Sequence, residues 1–161
     1  MNGVASVLSM GVTGGLIALA AALLVATVLG VAMRRRAGQF RPASPATRAK
    51  TAGALTEADL GAGLGRQATL VQFSTAFCAP CRPTRQILAQ VADMVDGVTH
   101  VEIDAAARMD LVQRLRINST PTVLVLDPDG AIVKRATGLP RKADVIAALG
   151  LVVRAEDRSR K

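Results

Sequence analysis

The chain has 161 residues, half of them hydrophobic but only 2% aromatic, with Phe40, Phe73 and Phe77 in place of any Trp or Tyr; a core must be aliphatic, and nucleic-acid binding by base stacking lacks its stacking groups. The net charge of +8 would suit a nucleic acid or an anionic surface. Its placement argues otherwise, because 34–66 holds seven basic residues against Glu57 and Asp59, while 67–153 holds nine basic and eight acidic, so the excess sits in a linker and a tail and implies no folded basic face.

Residues 1–33 carry no charged side chain, and 12–33 is an apolar run of 22 residues. As a helix it would measure roughly 33 Å, about the thickness of a hydrocarbon core. A cleaved signal peptide would show a positive start, a shorter apolar stretch and a small-residue cleavage site. Here R-R-R at 34–36 follows the run directly. The expectation is therefore a single N-terminal transmembrane helix, with 1–33 as a cell-membrane anchor. Arg34, Arg35 and Arg36 would stay on the cytoplasmic side and keep the rest of the chain there. Gly14, Ala18, Ala22, Ala26 and Gly30 recur every four residues, and Gly11 and Gly15 form a G-x-x-x-G pair. Such spacing lets two membrane helices approach and would support a weak homodimer. Chance spacing in an Ala-rich segment is the plainer account.

Residues 34–54 show no apolar periodicity and are dominated by Pro, Ala, Ser, Thr and basic residues. They read as a flexible linker, a solvated positive flank beside lipid headgroups. T-E-A-D at 56–59 has the spacing of an N-cap and first turn and predicts a helix to about residue 64. T-L-V-Q-F-S at 69–74 predicts a short strand. From Pro80 to about Val95, Ile87, Leu88, Val91, Met94 and Val95 fall on one helical face. V-T-H-V-E-I-D at 98–104 alternates like a strand, and 108–117 predicts a helix using Leu111, Val112 and Leu115. T-V-L-V-L at 122–126 is a buried strand, D-P-D-G at 127–130 a tight turn, 131–137 the returning strand and 144–149 a last helix. This order implies an α/β domain with a mixed sheet over 55–150, followed by a charged tail at 151–161.

Cys78 and Cys81 are the only cysteines, in F-C-A-P-C-R. A c-type haem site would place His directly after the second Cys, but position 82 is Arg. Structural zinc takes four protein ligands, and two Cys with His100 fall short unless acidic or shared ligands join them. Two buried structural thiols stay open. The strand-to-helix junction favours dithiol chemistry instead: free helix N–H groups, the positive dipole end and Arg82 would stabilise a thiolate at Cys78. Pro80 sits near the helix start, where a missing N–H costs least. Cys78 would attack a substrate disulfide and Cys81 would resolve the mixed disulfide. No metal and no cofactor are expected.

Three stretches together resemble the thioredoxin family over about residues 55–150: V-Q-F-S-T-A-F-C-A-P-C-R, I-N-S-T-P-T-V-L-V-L and D-P-D-G-A-I-V-K-R-A-T-G-L. The resemblance implies a thioredoxin-like mixed β-sheet flanked by helices, here preceded by the transmembrane helix. It implies a cis peptide bond at Thr120–Pro121, and a substrate-binding surface in which Ser119, Thr120 and Pro121 flank Cys78 while Phe77, Ala79, Pro80 and Gly138 complete an apolar contact. Departures from the family pattern are Phe77 for Trp, Ala79 for Gly, Gln72 for a buried Asp and His100 for a Lys. A proline usual five residues after the second Cys is Gln86, with Pro83 earlier instead. Gln72 cannot accept the proton of Cys81; His100 is the candidate for proton transfer, its ordinary pKa suiting that task, although a lone strand histidine is more often structural.

The expected activity is that of a membrane-tethered, cytoplasm-facing protein-disulfide reductase. Disulfide-containing proteins would be its substrates, and a dithiol such as thioredoxin reductase its electron donor. Two other readings stand beside it. One is an extracytoplasmic exchange protein for secreted or cytochrome-maturation clients; the other is a redox-inactive binding module on the same fold.

Overall fold

The computed structural model describes residues 17–32, 38–42 and 54–159, with side chains to residue 154. The chain divides into two compact units between residues 36 and 37.

The first unit corrects the membrane expectation. Its described part is one helix, α1, residues 17–32, with exposed side chains. Sixteen residues rise about 24 Å, short of the roughly 30 Å of a hydrocarbon core. Among the described residues no helix is long and apolar enough to cross a membrane. The single N-terminal transmembrane helix, and with it a single-pass membrane location with a cytoplasm-facing domain, is therefore not supported. Residues 12–16 and 33 of the expected span, the glycines at 11, 14 and 15, and Arg34–Arg36 lie outside the described residues. Dimerisation through a spanning helix loses its premise with the span.

The second unit holds a five-stranded sheet: β1 (Arg41–Pro42), β2 (Ala68–Ser74), β3 (Val98–Asp104), β4 (Thr122–Leu126) and β5 (Ile132–Thr137), in the order β1-β5-β4-β2-β3. β2 and β3 run parallel; the other neighbours are antiparallel. The helices are α2 (Glu57–Leu60), α3 (Cys81–Met94), α4 (Met109–Arg114) and α5 (Lys142–Ser159).

β1 was not expected. It lies inside the stretch read as a flexible linker, whose remaining residues 34–37 and 43–53 fall outside the described ones. The Gly38 N–H donates to the Thr137 carbonyl at 2.6 Å, and Arg41 pairs with Arg135. Gly38 has φ +82°, and a Cβ there would run into the Leu139 carbonyl, so this turn-in requires glycine. Phe40 packs half-buried on the core. Pro42, which has no N–H, suits an outermost strand.

Local chemistry trims and extends the helices. α2 opens on a capping box between Thr56 and Asp59 and stops early because Gly61 turns left-handed at φ 66°. α4 ends at Arg114, short of the expected 117. Arg135 on β5 reaches across and donates to the Leu115 and Arg116 carbonyls at 2.7 and 2.8 Å, satisfying the helix end. α5 runs well past 149, because Val152 continues the buried stripe of Val145, Ala148 and Leu149.

Period-two alternation divides the core between two sheet faces. Val71, Phe73, Val101, Ile103, Leu124 and Leu126 bury one face against Leu55, Leu60, Leu111 and Leu115. Leu70, Val123 and Val125 bury the other against Leu88, Val91, Val145 and Leu149.

Candidate functional site

β2 carries the chain to Ser74, and a tight turn follows. The Cys78 N–H donates to the Thr75 carbonyl at 3.2 Å and the Cys81 N–H to the Cys78 carbonyl at 3.1 Å. α3 then begins at Cys81, with Pro80 as its N-cap. Thr84 braces this first turn by donating its hydroxyl to the Pro80 carbonyl at 2.8 Å. Pro83 lies within the first turn, where an absent N–H removes little.

Cys78 and Cys81 are joined as a disulfide with a Cα–Cα distance of 5.3 Å. Their environments differ: Cys78 is half-buried, whereas Cys81 is 3% exposed. Phe77 beside Cys78 is fully exposed, a large apolar group open to a partner. Ala79 and Pro80 are exposed too.

The second loop arrives from α4 and feeds β4. Its Thr120–Pro121 peptide bond is cis. Ser119 is exposed, Thr120 half-buried and Pro121 buried. The hydroxyls of Thr75 and Thr120 lie 3.2 Å apart and join this loop to the turn before the cysteines. Thr122 donates its hydroxyl to the Ser119 carbonyl at 2.7 Å. Gly138, just past β5, donates its N–H to the Pro121 carbonyl at 2.8 Å. The structure thus ties the turn before Phe77, Cys78 and Cys81 to Thr120, and Thr120–Pro121 to Gly138, so three separate segments are linked.

Below the disulfide a cavity of about 490 Å³ opens, lined by Cys78, Cys81, Ser74, Arg82, Arg85 and Glu102 among others. Its polar floor comes from the ends of β2 and β3, where Ser74 stands opposite Asp104 and Glu102 lies two residues before Asp104; behind it the register sets Gln72 opposite Glu102 and Leu70 opposite His100. Glu102 accepts from the Ser74 hydroxyl at 2.7 Å and from Arg85 at 2.7 and 2.5 Å. Partial burial pushes the Glu102 carboxyl up, but the Arg85 and Ser74 hydrogen bonds and the Arg85 charge, joined by His100 at the acidic pH where it is protonated, outweigh it and hold it below its ordinary value. Burial pushes the His100 imidazole down; the Glu102 charge opposes this and the Arg85 charge adds to it. His100 is therefore neutral near pH 7, with its Nε2 buried and without a hydrogen-bond partner.

Gln72 is fully buried. Its Nε2 donates to the Cys81 carbonyl at 3.0 Å, while its Oε1 has no partner. Sequence reasoning passed over Glu102, Arg85 and Ser74. The available signals were alternation, which sets Glu102 on the same strand face as His100, and the i+4 spacing of Arg85 from Cys81. Among the described residues no three His, Cys, Asp or Glu side chains cluster as metal ligands.

Residues 59–152 match a family profile described as a thioredoxin-like domain. The chain is 31% identical over 85 residues to the thioredoxin of Mycobacterium tuberculosis, spanning 52% of this chain and 72% of that protein. It is 30% identical over 77 residues to the thioredoxin of Mycoplasma genitalium, spanning 48% and 74%. Among solved structures, a malaria-parasite thioredoxin-2 superposes with a TM-score of 0.51 over 57% of this chain and 89% of that one; at 15% identity this is a likeness of fold.

Proposed function

The chain belongs to the thioredoxin-like family and is a thiol–disulfide oxidoreductase, and on that premise we propose that it reduces disulfides of protein substrates through Cys78 and Cys81. The observation that carries this reading is the unequal exposure of the two sulfur-bearing residues at one strand–helix junction. In the dithiol form the Cys78 thiolate, favoured by the helix N-terminus, attacks one sulfur of a substrate disulfide. A Cys78–substrate bond forms, and the second substrate sulfur leaves as a thiolate that takes up a proton. Cys81 then gives up its proton and attacks the Cys78 sulfur. The intramolecular disulfide forms, and the substrate departs with both sulfurs reduced. A dithiol donor, such as a thioredoxin reductase or another dithiol relay, returns two electrons.

The substrate meets Phe77, Ala79, Pro80, Ser119, Thr120, Pro121 and Gly138, in which exposed Phe77, Ala79 and Pro80 stand beside a loop held in place by hydrogen bonds. His100 is the candidate acceptor for the proton that leaves Cys81. Its neutral imidazole and position on the Gln72 face of the sheet support that role.

Insulin reduction driven by dithiothreitol tests the reading. Cys78→Ser is expected to abolish turnover, and Cys81→Ser to accumulate mixed disulfides on Cys78. Turnover that survives Cys78→Ser would sink it. The absence of a buried acid at Gln72 favours a redox-inactive binding module as the rival, and a wild-type chain without turnover would point there.

A further inference from the structure

Gln72 faces α3 from the middle of β2 and has no access to solvent. One end of its amide lies 3.0 Å from the Cys81 carbonyl. A carbonyl oxygen only accepts, so the atom against it must be the NH₂, and this settles the orientation of the amide. The other end is then the oxygen Oε1, sealed in the interior with no donor. Buried acceptors are normally paired, and an orphan needs an explanation. On the neighbouring polar layer the Ser74 hydroxyl and two N–H groups of Arg85 are directed to Glu102.

The explanation lies in the oxidation state of the neighbour. With the disulfide closed, Cys81 Sγ is bonded to Cys78 Sγ and carries no hydrogen. Reduction by a dithiol breaks that bond and adds two electrons; one proton comes to rest on Cys81 Sγ, Cys78 Sγ is left as the thiolate, and the donor's second proton goes to solvent. Residue 81, 3% exposed and already held by the Gln72 amide at its backbone, then gains an S–H donor.

We propose that Gln72 is a positioning residue whose Oε1 accepts a hydrogen bond from the Cys81 thiol in the dithiol form, so that one amide holds residue 81 by backbone and side chain and favours reduction of the pair. This rests on the redox reading of Cys78 and Cys81. The bond forms to the protonated sulfur, and an amide oxygen repels a thiolate, so Cys81 keeps its proton while Cys78 is the thiolate. Gln72 does not titrate. The charged and titratable groups around this layer are His100, Glu102 and Asp104 on β3 and Arg82 and Arg85 on α3.

Two measurements on the full chain test the proposal. In equilibrium with dithiothreitol, Gln72→Leu removes the bond from the dithiol form and the orphan from the disulfide form. The dithiol/disulfide ratio should shift about tenfold toward the disulfide, which is about 30 mV for a two-electron couple. In Cys78→Ser, where Cys81 is the single thiol, the infrared S–H stretch should sit at the lowered frequency of a bonded thiol. It should move to the free-thiol position when Gln72→Leu is added. An unchanged equilibrium, a shift toward the dithiol, or an S–H band already at the free position with Gln72 present would overturn the proposal. If Gln72→Leu fails to fold, the band in Cys78→Ser decides alone. Neither measurement uses a protein substrate, so loss of the reductase reading through absent insulin turnover is separable from loss of this one.

Discussion

The two faces of the β2–β3 pair are made by the same fourteen residues and do opposite work. On one face Val71 and Phe73 lie beside Val101 and Ile103, and past the Thr69–Thr99 pair at its start the layer is apolar. On the other, Ala68 and Leu70 are apolar, but the line then passes through His100, Gln72, Glu102 and Ser74 toward the cysteines. The first face can be sealed completely, so it supplies stability. The second opens into a cavity at the carboxyl ends of two parallel strands, where polar groups can be hydrated, paired or put to use. A sheet thus keeps its chemistry one side chain away from its core, because neighbours along a strand point to opposite faces.

The largest expected effect comes from breaking the sealed face. Phe73 is fully buried, and Phe73→Ala should cost about 3–5 kcal/mol of unfolding free energy, a large share of a domain's stability. Urea denaturation measures this, while the dithiol/disulfide equilibrium of the folded fraction should stay at its wild-type value. A change in that equilibrium would mean that the two faces are not separable.

A smaller effect is expected at His100, and it depends on pH. Burial holds the folded-state pKa of this imidazole below its ordinary 6.5, so the unfolded chain takes up the proton first as pH falls. Stability should be full above 6.5, decline below it, and level off once the folded protein is protonated too. His100→Ala should remove that slope. If it also removes the pH dependence of insulin turnover, the proton-transfer role gains support; an unchanged profile assigns His100 to structure.

The smallest effect is expected at Glu102. Its folded-state carboxyl lies below the ordinary 4.5, so its contribution is complete above 4.5 and is lost as pH falls through the lower folded value. Glu102→Gln should flatten the acid limb of stability with little change at neutral pH, because its partner Arg85 is half-exposed and surface pairs contribute little. A neutral-pH loss as large as that of Phe73→Ala would put Glu102 in the stabilising layer and erase the contrast between the faces.

Local pattern carried much of the fold. Alternation set β3 at 98–104 and the apolar run set β4 at 122–126, and the structure has both at those bounds. The membrane expectation is not supported because an apolar run states that a segment is hydrophobic, whereas spanning requires a continuous helix of sufficient length, and among the described residues no helix is long and apolar enough. β1 was illegible for the complementary reason. G-Q-F-R-P has no period of its own, and its backbone is ordered by hydrogen bonds to β5, almost a hundred residues downstream.

By itself the sequence determined the alternation of strands and helices, the strand–helix junction that holds Cys78 and Cys81, and the absence of an acid at position 72. These are properties of neighbours along the chain, where spacing, capping and side-chain chemistry act over a few residues. Tertiary structure alone decided that Thr75 meets Thr120, that Gly138 ties down Pro121, and that Glu102 stands opposite Gln72 under the disulfide. It also left Gln72 Oε1 without a donor. Those facts come from strand register and from which segments the sheet order brings side by side, and both depend on packing the whole domain at once.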